Sequence, residues 1–148
     1  MEHIRDEIRI EAPVDQVWAF LCDTSRWHDW MPRGEFSDFS GPYDQVGTTY
    51  TWKMRMMGFE MKGKSTVLEV QPLKLIREHT DEAHQDSLFR FEPEGDATRV
   101  IVETEYEMPG YIPGFLKGVF TKSFFERQTR HMLHDFKALA EVKVPVPA

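Results

Sequence analysis

The chain has 148 residues and a single cysteine, Cys22. No intramolecular disulfide can form, so packing and hydrogen bonding must hold the fold. Cys22 sits in an apolar helical pattern, where a buried, inert thiol is the expectation. Long hydrophobic runs are also lacking. The longest uninterrupted apolar stretch is Val17–Cys22, far short of the roughly 20 residues that span a bilayer as a helix. Positive charge is in deficit, with a formal net charge of −7. That balance speaks against nucleic acid or an anionic membrane as a general partner. The opening residues, Met1 to Glu7, carry no apolar signal core. These absences together point to a cytoplasmic protein with no stable membrane insertion. Metal-site spacings are missing as well. His131 and His134 are three apart with Asp135 beside them, whereas a helical zinc pair of the metalloprotease kind is four apart with a glutamate between. His79, Asp81, Glu82, His84 and Asp86 gather around a loop and read as a charged hairpin end. His28 and Asp29 lie between Trp27 and Trp30, whose indoles are expected to pack together. No metal and no cofactor is expected.

What the chain does have is aromatic and sulfur-containing bulk. It carries 11 Phe, 4 Trp, 4 Tyr and 8 Met, enough to fill a core and also to line a pocket for a flat or greasy ligand. The length suits one domain, residues 1–148, with a sizeable core. Val144-Pro145-Val146-Pro147-Ala148 cannot continue a helix, so residues 143–148 are expected to fray.

Only the stretch Ile112 to Val142 is long enough for a long helix. Its second half repeats Phe125, Met132, Phe136 and Leu139 at three- and four-residue steps, with Gln128 and Thr129 in the gap. Glu126, Arg127, Arg130, His131 and Lys137 lie off that line, as in an amphipathic helix with one buried face. Its first half carries Ile112, Leu116, Val119, Phe120 and Phe124, a stripe on nearly the opposite side. Either the helix bends near Thr121–Phe125, or the first half is a separate turn, or that half has apolar surface on both sides.

The remainder reads as strands with two short helices. Ile4, Ile8 and Ile10 alternate with charged residues as a half-buried strand does. Asp6 falls on the apolar face, which suggests a strand end or a pocket rim. Pro13 suits the start of a helix that places Val14, Val17, Trp18 and Leu21 on one face. Asp23-Thr24-Ser25 offers caps for a second short helix through Trp30. Glu35–Ser40 reads as a short strand. Thr48 to Val70 is the clearest hairpin, with Thr48, Tyr50, Trp52, Met54 and Met56 on one face and Phe59, Met61, Gly63, Ser65 and Val67 continuing it. A two-residue loop at Met57-Gly58 would put Trp52 opposite Gly63 and Arg55 opposite Glu60. A loop at Gly58-Phe59 is the alternative, and both keep the same residues on the same face. Opposed charges and room beside Gly63 favour the first. Strands follow at Lys74–Thr80, Ser87–Pro93 and Arg99–Met108.

Strand, two short helices, about six antiparallel strands and one long helix make an α+β fold. At this point the chain resembles the START-like, birch-pollen-allergen-like superfamily, also called SRPBCC, and within it the small bacterial polyketide cyclase/dehydrase and lipid-transport members. The resemblance covers nearly the whole chain. It rests on Ile8-Arg-Ile-Glu-Ala-Pro-Val-Asp-Gln-Val-Trp-Ala-Phe-Leu21, Trp27-His-Asp-Trp-Met-Pro32, Thr98-Arg-Val100 with its following strand, and Phe136-Lys-Ala-Leu-Ala-Glu141. It implies a helix-grip fold: a curved antiparallel sheet wrapped around a long C-terminal helix, with a cavity between them. It does not fix the chemistry, since one fold hosts many functions. The cysteine and histidine ligand set of a Rieske centre is absent, so the oxygenase branch lacks its cofactor.

Under that fold the inner face would hold Tyr50, Trp52, Met54, Met56, Phe59, Met61, Phe89, Phe91, Val102, Tyr106 and Met108. Phe120 and Phe124 would join from the helix side. Each alone reads as core; the set as a whole reads as the lining of a cavity for a small hydrophobic molecule. Hydroxyls at Thr48, Tyr50, Ser65, Thr104 and Tyr106 could orient a ligand carbonyl or phenol. Acids and bases are scarce on this face. Asp6 and Glu69 lie near strand ends, Arg127 could point in from the helix, and Tyr106 could act only with a lowered pKa. This scarcity favours a binder or carrier of a lipid-, polyketide- or quinone-like ligand over a cyclase/dehydratase-type enzyme using Tyr106, Arg127 or Asp6. A protein-interaction module is the third reading. The approach to the helix, with Pro109, Gly110, Pro113, Gly114 and Gly118, is poor in helix propensity and is expected to form the cavity mouth.

Overall fold

A computed structural model describes residues 2–31, 34–56, 58–81, 84–107, 114, 118 and 121–142, with only the backbone of Met56. Seven strands form one antiparallel sheet: β1 (Glu2–Ile10), β2 (Gly34–Ser37), β3 (Thr49–Met56), β4 (Phe59–Gln71), β5 (Leu75–Thr80), β6 (Gln85–Glu94) and β7 (Ala97–Tyr106). Their order is β1-β7-β6-β5-β4-β3-β2. Successive strands β2 to β7 pair with their neighbours, and β1 closes onto β7. Between β1 and β2 lie α1 (Val14–Cys22), a single 3-10 turn (Thr24–Arg26) and α2 (Trp27–Trp30); α3 (Lys122–Ala140) follows the sheet. The sheet curves around α3, the helix-grip arrangement the resemblance implies.

Local chemistry sets the boundaries. Pro13 stands at the N-cap of α1 with extended backbone, where its lack of an N–H costs nothing. Val17, Trp18 and Leu21 turn inward, with Val14 half-buried. Asp23 does precede the 3-10 turn, but its carboxylate takes the Ser25 hydroxyl at 2.5 Å instead of capping the backbone. In the β3–β4 hairpin Gly58 adopts φ +76, a conformation that costs other L-residues energy. This is the Met57-Gly58 loop: Trp52 faces Gly63, Met56 faces Phe59, and Arg55 faces Glu60 with an ion pair at 3.1 Å.

The long helix begins later than a continuous stretch from Ile112 requires. Thr121 has ψ 166, and its hydroxyl accepts the Phe124 N–H at 3.2 Å. An extended, capping Thr121 breaks any single helix through this point. The stripe from Ile112 to Phe120 lies outside the described residues. So do Met108, Phe120, most of the expected cavity mouth, and residues 143–148. The buried face of α3 is centred on Leu133, Phe136 and Ala140. Phe125, Met132 and Leu139 flank it, half-buried, so the expected stripe is rotated and omitted Leu133. The reason is that β1, α1 and α2 all pack on the helix, with Phe20 of α1 and Trp30 of α2 meeting it at Phe136. That end is clamped: Gln16 Nε2 donates to the Ala140 carbonyl at 2.8 Å, Lys137 Nζ to the Arg9 carbonyl at 2.9 Å, and the Glu11 N–H to Glu141 at 2.8 Å.

The main core fills the space under α1, α2 and the second half of α3. Trp27 is its hub. Its indole N–H donates to the Leu21 carbonyl at 2.8 Å. Its ring meets Tyr43, Phe36, Tyr50, Phe39 and Trp30 edge-on, with centroids 4.6 to 6.2 Å away. Such edge-on contacts add to the stabilisation from burial.

Candidate functional site

Register assigns the inner face. Residues paired through Tyr50, Ser65 and Thr80 share it, as do those paired through Val67, Glu78, Ser87 and Thr104. The face divides into two apolar regions. The main core takes Tyr50, Phe89, Phe91 and Val102. Phe91 packs edge-on against Trp18 at 5.2 Å, and Phe89 and Val102 are buried beside it. These expected lining residues are therefore core. The second region lies towards the N-terminal half of α3, where Met61 is buried among Trp52, Met54, Phe59, Phe124 and Phe125. All but Met61 are half-buried. Trp52 packs against both regions. The ring of Phe125 lies 4.9 Å from that of Tyr106. The Met56 side chain is outside the described atoms.

Two hydrogen-bond donors are buried with no partner among the described residues: Trp52 Nε1 in this second region and the hydroxyl of Tyr106, whose ring borders it at Phe125. An unpaired buried donor costs on the order of 1–3 kcal/mol. Trp30 Nε1 shares that condition, but Trp30 sits in the sealed main core against Phe136. Burial, together with the charges of Glu2 and Glu126, pushes the Tyr106 phenol up. Tyr106 is therefore a neutral donor here, the opposite of the lowered pKa that catalysis by this group would need.

The other acid–base candidates are engaged or face elsewhere. Asp6 lies in the middle of β1, not at its end, and Arg130 of α3 donates to it at 2.6 Å. Charge pairing explains a carboxylate on an apolar face. Glu69 does not face inward. The register of β4 shifts between Val67 and Glu69, which leaves Leu68 as the extra, exposed residue. One inserted residue flips every later side chain, so Glu69 lies opposite Arg77, 3.7 Å from its guanidinium. Arg127 is exposed on α3.

The inner face nevertheless holds a carboxyl. Glu78 on β5 lies between Ile76 and Thr80 on the inward side, opposite Val67 and Ser87. Two hydroxyls converge on one of its oxygens: Tyr43 and Tyr50 donate to Oε2 at 2.9 and 2.7 Å. Tyr43 comes from the loop before β3 and is 1 % exposed. The polar group extends sideways. Ser65 and Thr80 share a hydrogen bond at 2.6 Å, and Gln85 donates to Ser87 at 3.0 Å. Burial pushes the Glu78 carboxyl up, and the two tyrosine hydrogen bonds only partly oppose it. Burial and the Glu78 charge push both phenols well up. Sequence reading missed Glu78 and Tyr43. The signal for Glu78 was present in the alternation Ile76, Glu78, Thr80. Tyr43, in a loop, gave none.

The histidine clusters are contacts between imidazoles and carboxylates. His79 sits between Asp86 at 2.8 Å and Asp81 at 3.4 Å, and His28 pairs with Asp29 at 3.2 Å. Trp27 and Trp30 pack edge-on as expected. His131 and His134 are exposed. Among the described residues no helix is long and apolar enough to cross a membrane. Burial, with the Asp44 charge behind it, pushes the half-buried Cys22 thiol up to about 12.

Comparison with known proteins places this architecture. The family model described as "Polyketide cyclase / dehydrase and lipid transport" matches residues 1–141. No curated protein matches the chain. Solved structures do. An aromatase/cyclase from a Streptomyces species superposes with a TM-score of 0.73 at 16% identity, over 95% of this chain and 93% of its own. Norcoclaurine synthase from Thalictrum flavum, solved with dopamine and hydroxybenzaldehyde, gives 0.68 at 17% identity, over 97% of this chain and 89% of its own. A Thermus thermophilus protein gives 0.73 at 18% identity, over 94% and 97%. At these identities the likeness is one of fold.

Proposed function

The chain belongs to the polyketide cyclase/dehydrase and lipid-transport family, and from that premise we propose that it binds a small, largely hydrophobic molecule between the sheet and α3. Family membership supports ligand binding in general. The finer reading, a lipid-, polyketide- or quinone-like ligand, rests on one observation. Two buried donors, Trp52 Nε1 in the region around Met61 and the Tyr106 hydroxyl at its Phe125 edge, are unpaired among the described residues. A ligand with one or two acceptor oxygens would relieve both while burying apolar surface worth roughly 25 cal/mol per Å² before the costs of binding. On this reading the ligand contacts Trp52, Met54, Phe59, Met61, Tyr106 and Phe124. Tyr50, Phe89, Phe91 and Val102 support it from the core.

The test uses N-phenyl-1-naphthylamine, a neutral apolar fluorophore. It should bind with enhanced emission and perturb tryptophan emission. Trp52→Ala with Met54→Ala should weaken binding about tenfold or more, a loss of about 1.4 kcal/mol, with the sheet intact by circular dichroism. Gly63→Leu, which puts a side chain beside the indole, should abolish binding. Binding that survives both changes would move the site elsewhere. A catalytic role in the same place is the second reading, and Glu78 favours it: a raised carboxyl on the inner face is what acid–base chemistry requires.

A further inference from the structure

Glu78 also bears on what the bound molecule must carry. Its two oxygens are not equivalent. Oε2 receives both tyrosine hydroxyls. Oε1 has no hydrogen bond with any described residue and is not among the sealed polar atoms. The side chain as a whole is only half-buried, although Tyr43, Tyr50 and Ser65 around it are closed off. A residue in the middle of a sheet's inner face that keeps accessible surface borders on open space on that side. If Oε2 accepts from two hydroxyls, the proton of the neutral acid resides on Oε1, where no described residue takes it and a visiting group can.

We propose that Glu78 is the polar anchor of the ligand, donating a hydrogen bond from Oε1 to a carbonyl or other neutral acceptor oxygen on an otherwise apolar molecule. This rests on the ligand-binding reading above and deepens it: the ligand class is a neutral carbonyl compound, not a fatty acid anion, whose carboxylate would meet Glu78 and two phenols with no neutralising cation beside them among the described residues. Tyr43 and Tyr50 hold the carboxyl in place, so that its free oxygen is presented in one orientation. Among the described residues, the inward positions beside Glu78 on β4, β6 and β7 carry no other charge, and the Asp44 charge lies behind Cys22. Inward residues of β4 beside it are Ser65 and Val67, and those of β6 are Gln85, Ser87 and Phe89. β7 presents Val102 and Thr104. Asp6 of β1 is held by Arg130 of α3, and Arg127 and His131 of α3 are exposed. Cys22, behind Tyr43, is a neutral thiol. Titration of Glu78 therefore governs this site, and burial holds the carboxyl in its neutral form above the ordinary carboxyl range.

The experiment compares 9-fluorenone with fluorene, which share a ring skeleton and differ by the carbonyl oxygen. Affinities are measured by tryptophan quenching from pH 5 to 9 in the wild type, Glu78→Gln and Glu78→Ala. Fluorenone should bind about tenfold tighter than fluorene to the wild type at the acidic end, the worth of one hydrogen bond. That advantage should fall as pH rises and Glu78 ionises. Glu78→Gln, whose amide donates at every pH, should keep the advantage and lose the pH dependence. Glu78→Ala should bind both compounds equally. Equal binding of both compounds by the wild type, or an advantage undiminished in Glu78→Ala, would overturn the anchor while leaving hydrophobic binding intact. If neither compound binds the wild type, the ligand-binding reading falls and the anchor with it. Should Glu78→Ala fail to fold, the flat pH profile of Glu78→Gln decides, and a profile that parallels the wild type rejects the proposal.

Discussion

The inner face of this sheet has two ends made of similar residues and put to different use. At one end Trp27 is enclosed by five aromatic rings, its N–H is bonded, and 2 % of it is exposed. At the other, Trp52 is half-buried among Met54, Phe59, Phe124 and Phe125, and its N–H has no partner among the described residues. Close packing marks the end that holds the fold together, where Trp30 Nε1 also lacks a partner among the described residues but is sealed against Phe136. Unsatisfied atoms and incomplete packing mark the end left for something else. Aromatic content alone does not distinguish them; the completeness of packing does. At the edge of the main core runs the belt of Glu78, Tyr43, Tyr50, Ser65 and Thr80, joined by hydrogen bonds.

That contrast can be broken most directly at Trp27. Trp27→Ala removes the hub of the core and one hydrogen bond, and should cost about 3–5 kcal/mol, measured by urea unfolding. A loss below about 1 kcal/mol would mean that the aromatic cluster is not the main support. At the opposite end, Trp52→Ala with Met54→Ala removes an indole and a thioether, more side-chain bulk, from half-buried sites. It should cost less than half as much, about 1–2 kcal/mol, in the same titration. Equal losses at the two ends would erase the distinction between them.

The smallest effect concerns the belt. Glu78 has its carboxyl raised above the ordinary 4.5, so the folded chain holds this proton more tightly than the unfolded chain does. The contribution is complete below the ordinary carboxyl range and is lost as pH rises through the raised value. Relative to Glu78→Gln, the wild type should therefore lose stability with rising pH across that window, by no more than about 1.4 kcal/mol per pH unit for a single proton. Thermal melts of the two proteins from pH 4 to 8 would show it. A wild type that gains on the glutamine variant over this range would give the opposite sign and place an ionised Glu78 in the fold.

Much of this protein was written in its alternation and its turn residues. Ile4, Ile8 and Ile10 at period two, Pro13 before an apolar helical stripe, and Gly58 in a two-residue turn set β1, α1 and the β3–β4 register, down to Trp52 facing Gly63. Those signals are local: a strand's period, a proline's missing N–H and a glycine's positive φ act within a few residues of themselves. Three decisions were made only by distant contact. The bulge at Leu68 turned Glu69 outward, because the β4–β5 pairing, not the residue pattern of β4, selects where the extra residue goes. Packing of β1, α1 and α2 on α3 put Leu133 at the centre of its buried face. Tyr43, in a loop with no periodicity to betray it, became a buried partner of Glu78 35 residues away. A carboxyl becomes a site through the groups that surround it, and in this chain those groups come from β3, β5 and a loop that only the folded sheet brings together.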